Sequence, residues 1–268
     1  MQAVSSKQAR PLVLCYHAVS STWRSQLVIS ERLLEQQLRL IAARGYVGLT
    51  LSEAERRRAD GSLPDRSVVV TFDDGFASTL RALPILAEVG FPGTVFPVTG
   101  FVGSGATLSW PGIEHEFTRE TEAELRPLRW PELETLQEVG WEVGSHTVGH
   151  PLLTAVDDAR LETELQVSRA EIVERLGCCD SISYPYGRAD ERVAAAAARA
   201  GYTVACTLAM VHLEDEPLRR PRVNLATVDT GLRLRLQVAP RMQSLRRSRA
   251  ARLARTLHRN RSWLPEAD

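Results

Sequence analysis

Two adjacent carboxylates, Asp73 and Asp74, directly follow the apolar run 68–72 and precede Gly75. The run is rich in β-branched residues and predicts a buried strand, with both carboxylates at its carboxyl end, where glycine allows a sharp turn. Two neighbouring anions repel each other, so the pair makes physical sense if one binds a cation and the other exchanges protons. The pair therefore directs attention to metal ligands elsewhere in the chain.

Two histidines four residues apart, His146 and His150, follow a second short strand predicted over 141–145, and Pro151 comes next. This spacing predicts a helical turn, limited by the proline, with both imidazoles on one side. Together with Asp74 they form a ligand set that leaves one coordination position open for water or substrate, as in catalytic metal sites. The nitrogen and oxygen ligands favour zinc, with cobalt, nickel or manganese as alternatives. A lone histidine pair is often incidental, but one joined to a strand-end Asp-Asp-Gly is much less so.

With these motifs, the chain resembles the polysaccharide deacetylases of carbohydrate esterase family four, in particular the exopolysaccharide deacetylase branch. Segment 71–75 looks like the first motif of that family, 145–151 like the second and 183–187 like the third, and the resemblance covers roughly residues 10–225. It implies a distorted (β/α) barrel, here expected to have seven strands, and an N-acetylated glycan as substrate. It also implies that the backbone amide of Tyr186, between Pro185 and Gly187, helps to hold the oxyanion.

Two features depart from the family pattern. Many relatives carry an arginine where this chain has Ser183, and that arginine braces the catalytic aspartate; Arg188 and Arg222 are both candidates to replace it. The last family motif, Leu-x-His, supplies a general acid, but the nearest segment here ends in His212 and its spacing does not match. His212 is therefore either the acid or a solvated histidine, and the latter is favoured.

A second candidate for the acid is His17, at the end of the first predicted strand, 11–17. The carboxyl ends of barrel strands face the active site, so this imidazole is expected near the leaving nitrogen. A purely structural histidine bonded to backbone is an equal alternative. Asp73 itself could also return the proton, so the sequence leaves the acid open among His17, His212 and Asp73.

The elements that must position these residues alternate between strands and helices. Helices are predicted over 30–41, from 52, over 77–89, from 130, and over 157–176 and 190–200; strands are predicted over 49–51, 93–98, 181–184 and 201–207. This alternation is typical of a parallel sheet with crossover helices. Between 103 and 127 the periodicity fails. There, Trp110 either anchors its own loop, which is the favoured interpretation, or stacks on a sugar ring.

Length and composition predict one catalytic domain. A chain of 268 residues with 44% hydrophobic content can bury one sizeable core. The expected division is a flexible N-terminus over 1–10, the barrel domain over 11–228 and a basic helical extension over 229–268. Formal net charge is zero, which gives no global field to attract nucleic acid.

Cysteine usage and the termini bear on location and contacts. The four cysteines lack ligand-like spacing, and two are adjacent, which favours free thiols and a reducing compartment.

Residues 1–10 lack an apolar signal region, so a cytoplasmic protein is expected. The extension has eight arginines and no acid between Arg241 and Arg261, which is compatible with packing on the barrel or with peripheral contact to a membrane or lipid-linked substrate. Packing is favoured.

These observations lead to one main functional hypothesis and two alternatives. The main one is a metal-dependent hydrolase that removes an N-acetyl group from a polysaccharide, oligosaccharide or lipid-linked glycan, with Asp73 as the base. The first alternative is an amide hydrolase for another acyl group, such as a deformylase or a ring-opening amidase, because fold and metal do not fix the acyl group. The second is a catalytically silent glycan-binding domain.

Overall fold

Eight parallel strands form the main sheet of the computed structural model, which describes residues 10–119, 121–208 and 216–225. In chain order the strands are β1 (Leu12–Tyr16), β2 (Ala18–Val19), β3 (Val28–Ile29), β4 (Val47–Gly48), β5 (Ser67–Phe72), β6 (Gly93–Val95), β7 (Glu142–Val143), β8 (Ser181–Ser183), β9 (Val204–Leu208) and β10 (Arg220–Asn224). The helices are α1 (Glu31–Ala42), α2 (Leu51–Ala59), α3 (Ala82–Glu88), α4 (Trp130–Glu138), α5 (Asp158–Leu176) and α6 (Glu191–Ala200).

The strand order makes a nearly closed barrel. Seven strands follow one another in the order β7-β6-β5-β1-β10-β9-β8. The eighth strand, β4, is not part of this order and pairs with β5. A parallel bridge between Ser145 and Ile182 connects the two ends of the path. The predicted seven-stranded (β/α) barrel is therefore confirmed, and the carboxyl ends of its strands open on one face.

Side chains of β5 alternate between two buried environments. Val68 and Val70 pack in the large core between barrel and helices, whereas Val69 belongs to a smaller cluster that also contains residues of β1 and β9. A strand that is buried on both faces has a nearly continuous apolar sequence, which explains the composition of β5. Because the side-chain period is two, Asp73 follows Val69 and Thr71 on the interior face of the barrel.

Several predicted boundaries are wrong by a few residues. The strand expected over 49–51 lies at β4, because the Thr50 side chain accepts a hydrogen bond from the Glu53 amide and so begins α2. The strand expected over 93–98 ends at Val95, before Pro97, which has no amide to donate. The helix expected over 77–89 divides into a 3₁₀ segment, Ala77–Arg81, and α3.

Other expectations hold or lie beyond what the structure covers. All four cysteines are free thiols, as predicted. Among the described helices, none combines the length and apolar character needed to cross a bilayer. Residues 1–9, His212 and the basic extension over 229–268 lie outside the described residues, so the predictions about them stay predictions.

Candidate functional site

The two adjacent aspartates point in different directions because the backbone turns at the end of β5. Asp74 has a φ of 69° and Gly75 a φ of 72°, both in the left-handed region. A Cβ on Gly75 would lie 2.7 Å from the Pro97 Cα, so glycine is required by space as well as by conformation. Asp73 therefore enters the barrel, while Asp74 faces the histidine loop.

Asp74, His146 and His150 meet as predicted. Asp74 Oδ1 lies 3.3 Å from His146 Nε2 and 3.6 Å from His150 Nε2, and all three side chains are buried. Three ligands in a tetrahedral site with bonds of about 2.0–2.2 Å are separated by roughly 3.3–3.6 Å. The geometry and the nitrogen and oxygen donors therefore fit a divalent metal ion.

The loop that carries the histidines is not the helical turn that the spacing predicted. Residues 146–150 have no helical hydrogen-bonding pattern, and Thr147 and His150 have φ values of 70° and 57°. Left-handed backbone in a β-branched residue costs on the order of 1–3 kcal/mol, which the surrounding structure must offset. The histidines converge on one point because of this strained loop, and the predicted helical turn is wrong.

The two imidazoles are held in different ways. His146 Nδ1 lies 2.7 Å from the Ser183 carbonyl oxygen, which fixes the ring so that Nε2 faces Asp74. His150 Nδ1 is buried without a hydrogen-bond partner among the described residues. Aromatic rings hold His150 instead, with centroids 4.3 Å away for Trp110 and 4.8 Å away for Tyr186.

Burial and neighbouring charges shift the pKa values of His146, His150 and Asp74 in different directions. Burial alone would lower the pKa of His146, but its hydrogen bond to Asp74 and the neighbouring carboxylates raise the pKa above its usual value. Burial lowers the pKa of His150 to about 3, and His146 acts in the same direction. Burial would raise the pKa of Asp74, but its hydrogen bond with His146 and the nearby histidines lower it. Asp74 is therefore ionised and His150 neutral, which are the forms that bind a metal.

Arg222 is the residue that braces Asp73. Its two terminal nitrogens donate to the two carboxylate oxygens of Asp73, each over 2.6 Å, and both side chains are buried. Burial alone would raise the pKa of Asp73, but the positive charge of Arg222 outweighs it and holds the pKa well below the usual range. Asp73 is therefore a carboxylate that is ionised at neutral pH and lies outside the metal-ligand set.

Hydroxyl groups complete the contacts of this pair. Ser183 Oγ accepts from Arg222 over 2.9 Å and donates to Asp73 over 3.1 Å, and Thr71 Oγ1 accepts from Arg222 over 3.0 Å. The family arginine expected at position 183 is thus replaced by a serine and by an arginine on β10. Of the two candidates, Arg222 makes these contacts to Asp73 and Arg188 makes none.

His17 lies beside this pair, where the strand argument placed it. One of its ring nitrogens, Cys15 Sγ and an Asp73 carboxylate oxygen are within 4.8 Å of one another. The imidazole is partly exposed, whereas Cys15 and Asp73 are buried. Because both oxygens of Asp73 accept hydrogen bonds from the Arg222 guanidinium, this group of three side chains does not suit a second cation.

The third motif forms a turn at the mouth of the barrel. Tyr186 has a φ of 57° and Gly187 a φ of 65°, so the chain reverses tightly after Pro185. A Cβ on Gly187 would lie 2.4 Å from the Leu208 Cγ. This turn brings Tyr186 against His150, but the role of its amide remains a prediction.

The irregular segment 103–127 forms one wall of the site. Trp110 is buried against His150 and lies 5.8 Å, centroid to centroid, from Phe101, as expected for a residue that anchors its loop. The Tyr186 hydroxyl donates to the Pro111 carbonyl oxygen over 3.0 Å, which joins the same segment to the third motif. The sequence did not predict the contact between Trp110 and His150, because irregular loops carry no periodic signal.

Comparison with curated proteins finds relatives over most of the chain. A Bacillus subtilis protein, YxkH, whose name places it among the polysaccharide deacetylases, is 25% identical over 207 residues, which is 76% of this chain and 66% of the relative. The poly-beta-1,6-N-acetyl-D-glucosamine N-deacetylase of Staphylococcus aureus is 27% identical over 173 residues, which is 59% of this chain and 53% of the relative. The alignments therefore span about two-thirds and about half of the length of these relatives.

Comparison with solved structures agrees with the fold. A Streptococcus pyogenes deacetylase, PplD, solved in complex with acetate, superposes with a TM-score of 0.74 at 23% identity, covering 87% of this chain and all of that one. IcaB from Ammonifex degensii superposes with a TM-score of 0.65 at 25% identity, covering 82% and 94%. The sequence profile described as polysaccharide deacetylase matches residues 60–205, more than half of the chain. From this match and the motifs described above, the chain belongs to the polysaccharide deacetylase family.

Proposed function

We propose that this chain is a metal-dependent N-deacetylase that hydrolyses the acetamide of an N-acetylated sugar and releases acetate. The observation that carries the proposal is the separation of two adjacent carboxylates into two environments. Asp74 lies with His146 and His150 in a metal-ligand arrangement, whereas Asp73 lies outside it and pairs with Arg222. In metal-assisted hydrolysis of an amide, the metal polarises the carbonyl group and a separate base takes the proton from water.

The metal site is assigned to Asp74, His146 and His150. A divalent ion bound there would supply Lewis acidity, which activates water and polarises a carbonyl group. Zinc suits this ligand set best, and cobalt, nickel and manganese are alternatives.

Asp73 is assigned the role of base. It is ionised because of Arg222, and a carboxylate that is free of metal accepts a proton more readily than one that binds metal. In this assignment an oxygen of Asp73 takes the proton from the attacking water. Arg222 and Ser183 fix the orientation of the carboxylate, so that the proton acceptor is in place before the substrate binds.

Two further groups complete the reaction. The Tyr186 amide, on the turn with Pro185 and Gly187, would donate to the developing oxyanion, a contribution of about 3 kcal/mol for one well-placed donor. His17 would protonate the departing nitrogen, because it lies within 4.8 Å of Asp73 at the open face of the barrel. His212 is an alternative proton donor and lies outside the described residues.

The substrate class rests on the family and the relatives. The Staphylococcus aureus relative is named for the deacetylation of a β-1,6-linked polymer of N-acetylglucosamine. We infer an N-acetylated glycan for this chain, either polymeric or lipid-linked. A deformylase or ring-opening amidase differs only in the acyl group, and the paired Asp73 and complete ligand set argue against a silent glycan-binding domain. Cytoplasmic location and membrane contact through the basic extension stay predictions.

The test measures metal content and product release together. The protein would be incubated with a panel of N-acetyl and N-formyl sugars, and acetate and formate would be quantified. His146→Ala should lose both metal and activity, and Asp73→Asn should keep the metal and lose turnover, whereas the exposed His115→Ala serves as the control. Formate release without acetate would favour the deformylase alternative. Full metal occupancy in His146→Ala, or parent-like turnover in Asp73→Asn, would contradict the assignment.

A further inference from the structure

A buried glutamate on α5 contacts the backbone of the histidine loop. Glu164 Oε2 accepts a hydrogen bond from the Val148 amide over 2.9 Å and from the Gly149 amide over 2.8 Å. Only 7% of Glu164 is exposed, although it lies in the middle of a helix whose outer face is charged. One carboxylate oxygen therefore accepts hydrogen bonds from two of the three backbone amides between His146 and His150, and the third, that of Thr147, donates to Ser145 Oγ.

The loop needs such a partner because of its conformation. Thr147 and His150 both have left-handed backbone, and the amides of the two residues between them project together from the loop. Successive amides that converge in this way form a concavity that binds an anion. Without an acceptor these amides would be unsatisfied, and the strained backbone that brings the two imidazoles together would lose its support.

Neighbouring contacts fix the position of the carboxylate. A Cβ on Gly149 would lie 3.3 Å from Glu164 Oε1, so the loop approaches the carboxylate closely at a residue without a side chain. One turn further along α5, Ser168 Oγ donates to the Glu164 carbonyl oxygen and lies 2.8 Å from Ser145 Oγ, at the base of the same loop. The Arg160 side chain, 60% exposed, has its Nε 3.7 Å from Glu164 Oε1 and contributes little because water screens it.

We propose that Glu164 is a positioning residue for the metal site: its carboxylate holds the loop that sets the spacing between His146 and His150. This inference rests on the proposed metal site, and it extends that site to a residue on a different element that is not itself a ligand. Residues that orient metal ligands from outside the coordination sphere commonly change metal affinity by about 10- to 100-fold when they are replaced.

The experiment compares metal affinity in two variants of one helix. Glu164→Met keeps a side chain of similar length but removes both acceptor oxygens, whereas Glu162→Met removes a half-exposed charge that pairs with Arg199 at 3.3 Å. Zinc dissociation constants of the full chain would be measured by competition with a chromophoric chelator. We expect zinc affinity to fall about 10- to 100-fold in Glu164→Met and to stay within about twofold of the parent in Glu162→Met.

A merely structural role is separated by measuring the unfolding of the metal-free proteins. A glutamate that only stabilises the fold would lower the melting temperature of the metal-free protein and leave the zinc affinity of the folded protein unchanged, and that result would overturn the proposal. If Glu164→Met does not fold, Glu164→Asp, which keeps the charge but withdraws it by one methylene, takes its place, and parent-like zinc affinity would overturn the proposal equally. Failure of the proposed metal site itself is distinguishable, because the parent and His146→Ala would then bind zinc equally weakly.

Discussion

Replacing Arg222 with methionine should destabilise the protein strongly, because it leaves Asp73 as a buried charge without its partner. Asp73 is 4% exposed and Arg222 1% exposed, so water cannot take over the role of the lost guanidinium. Removing one member of such a pair typically costs 3–5 kcal/mol, because the remaining ion keeps its desolvation penalty. Ser183 and Thr71 would each also lose a donor, so we expect about 4–5 kcal/mol for Arg222→Met.

The assay is urea unfolding of the metal-free protein, followed by circular dichroism and compared with two further variants. Asp73→Asn/Arg222→Met removes both charges and should recover most of the stability lost by the single Arg222 variant, since position 73 then carries no unpaired buried charge. Arg199→Met removes an arginine that is 59% exposed and pairs with a surface glutamate, and it should change the unfolding free energy by less than about 1 kcal/mol. A loss below about 1 kcal/mol in Arg222→Met, or a double variant no more stable than the single one, would refute the argument.

Three further predictions test other parts of the molecule. His17→Ala should keep the metal and lose on the order of a hundredfold in turnover, and an unchanged rate would exclude it as the acid. Tyr186→Phe removes the bond to the Pro111 carbonyl but keeps the backbone amide, so it should cost about 1 kcal/mol of unfolding free energy and little turnover; a hundredfold loss would assign the chemistry to the phenol instead. Burial would raise the pKa of Glu55, but hydrogen bonds from Arg58 and Arg220 outweigh burial and lower the pKa. The contribution of the Glu55 carboxylate to stability is therefore present above pH 4.5 and is lost as the pH falls below that value. The stability difference between the parent and Glu55→Gln should therefore shrink in acid, and a difference that grew would contradict this sign.

Local patterns in the sequence predicted a parallel sheet with crossover helices and a candidate set of metal ligands, and the family resemblance implied the barrel. The β-branched run before Asp73 predicts a buried strand, and strands and helices alternate at the spacing of a parallel sheet with crossover helices. The carboxyl ends of parallel strands share one face of a barrel, so the sequence alone predicts that the aspartates and the histidines lie together on that face. His17 was placed near the site by the same argument.

Only the tertiary structure decided how these residues are oriented and supported. Arg222 and Asp73 are 149 positions apart, and β10 lies beside β1 only because of the strand order of the nearly closed barrel, which no local pattern specifies. The histidine spacing predicted a helical turn, but the histidines lie on a loop with left-handed backbone, whose amides donate hydrogen bonds to Glu164. Ser183 acquires its place between the two charges for the same reason. Side-chain periodicity is a property of neighbouring residues and can be read from a sequence, whereas buried charge pairs and strained loops depend on partners that only the folded chain brings into contact.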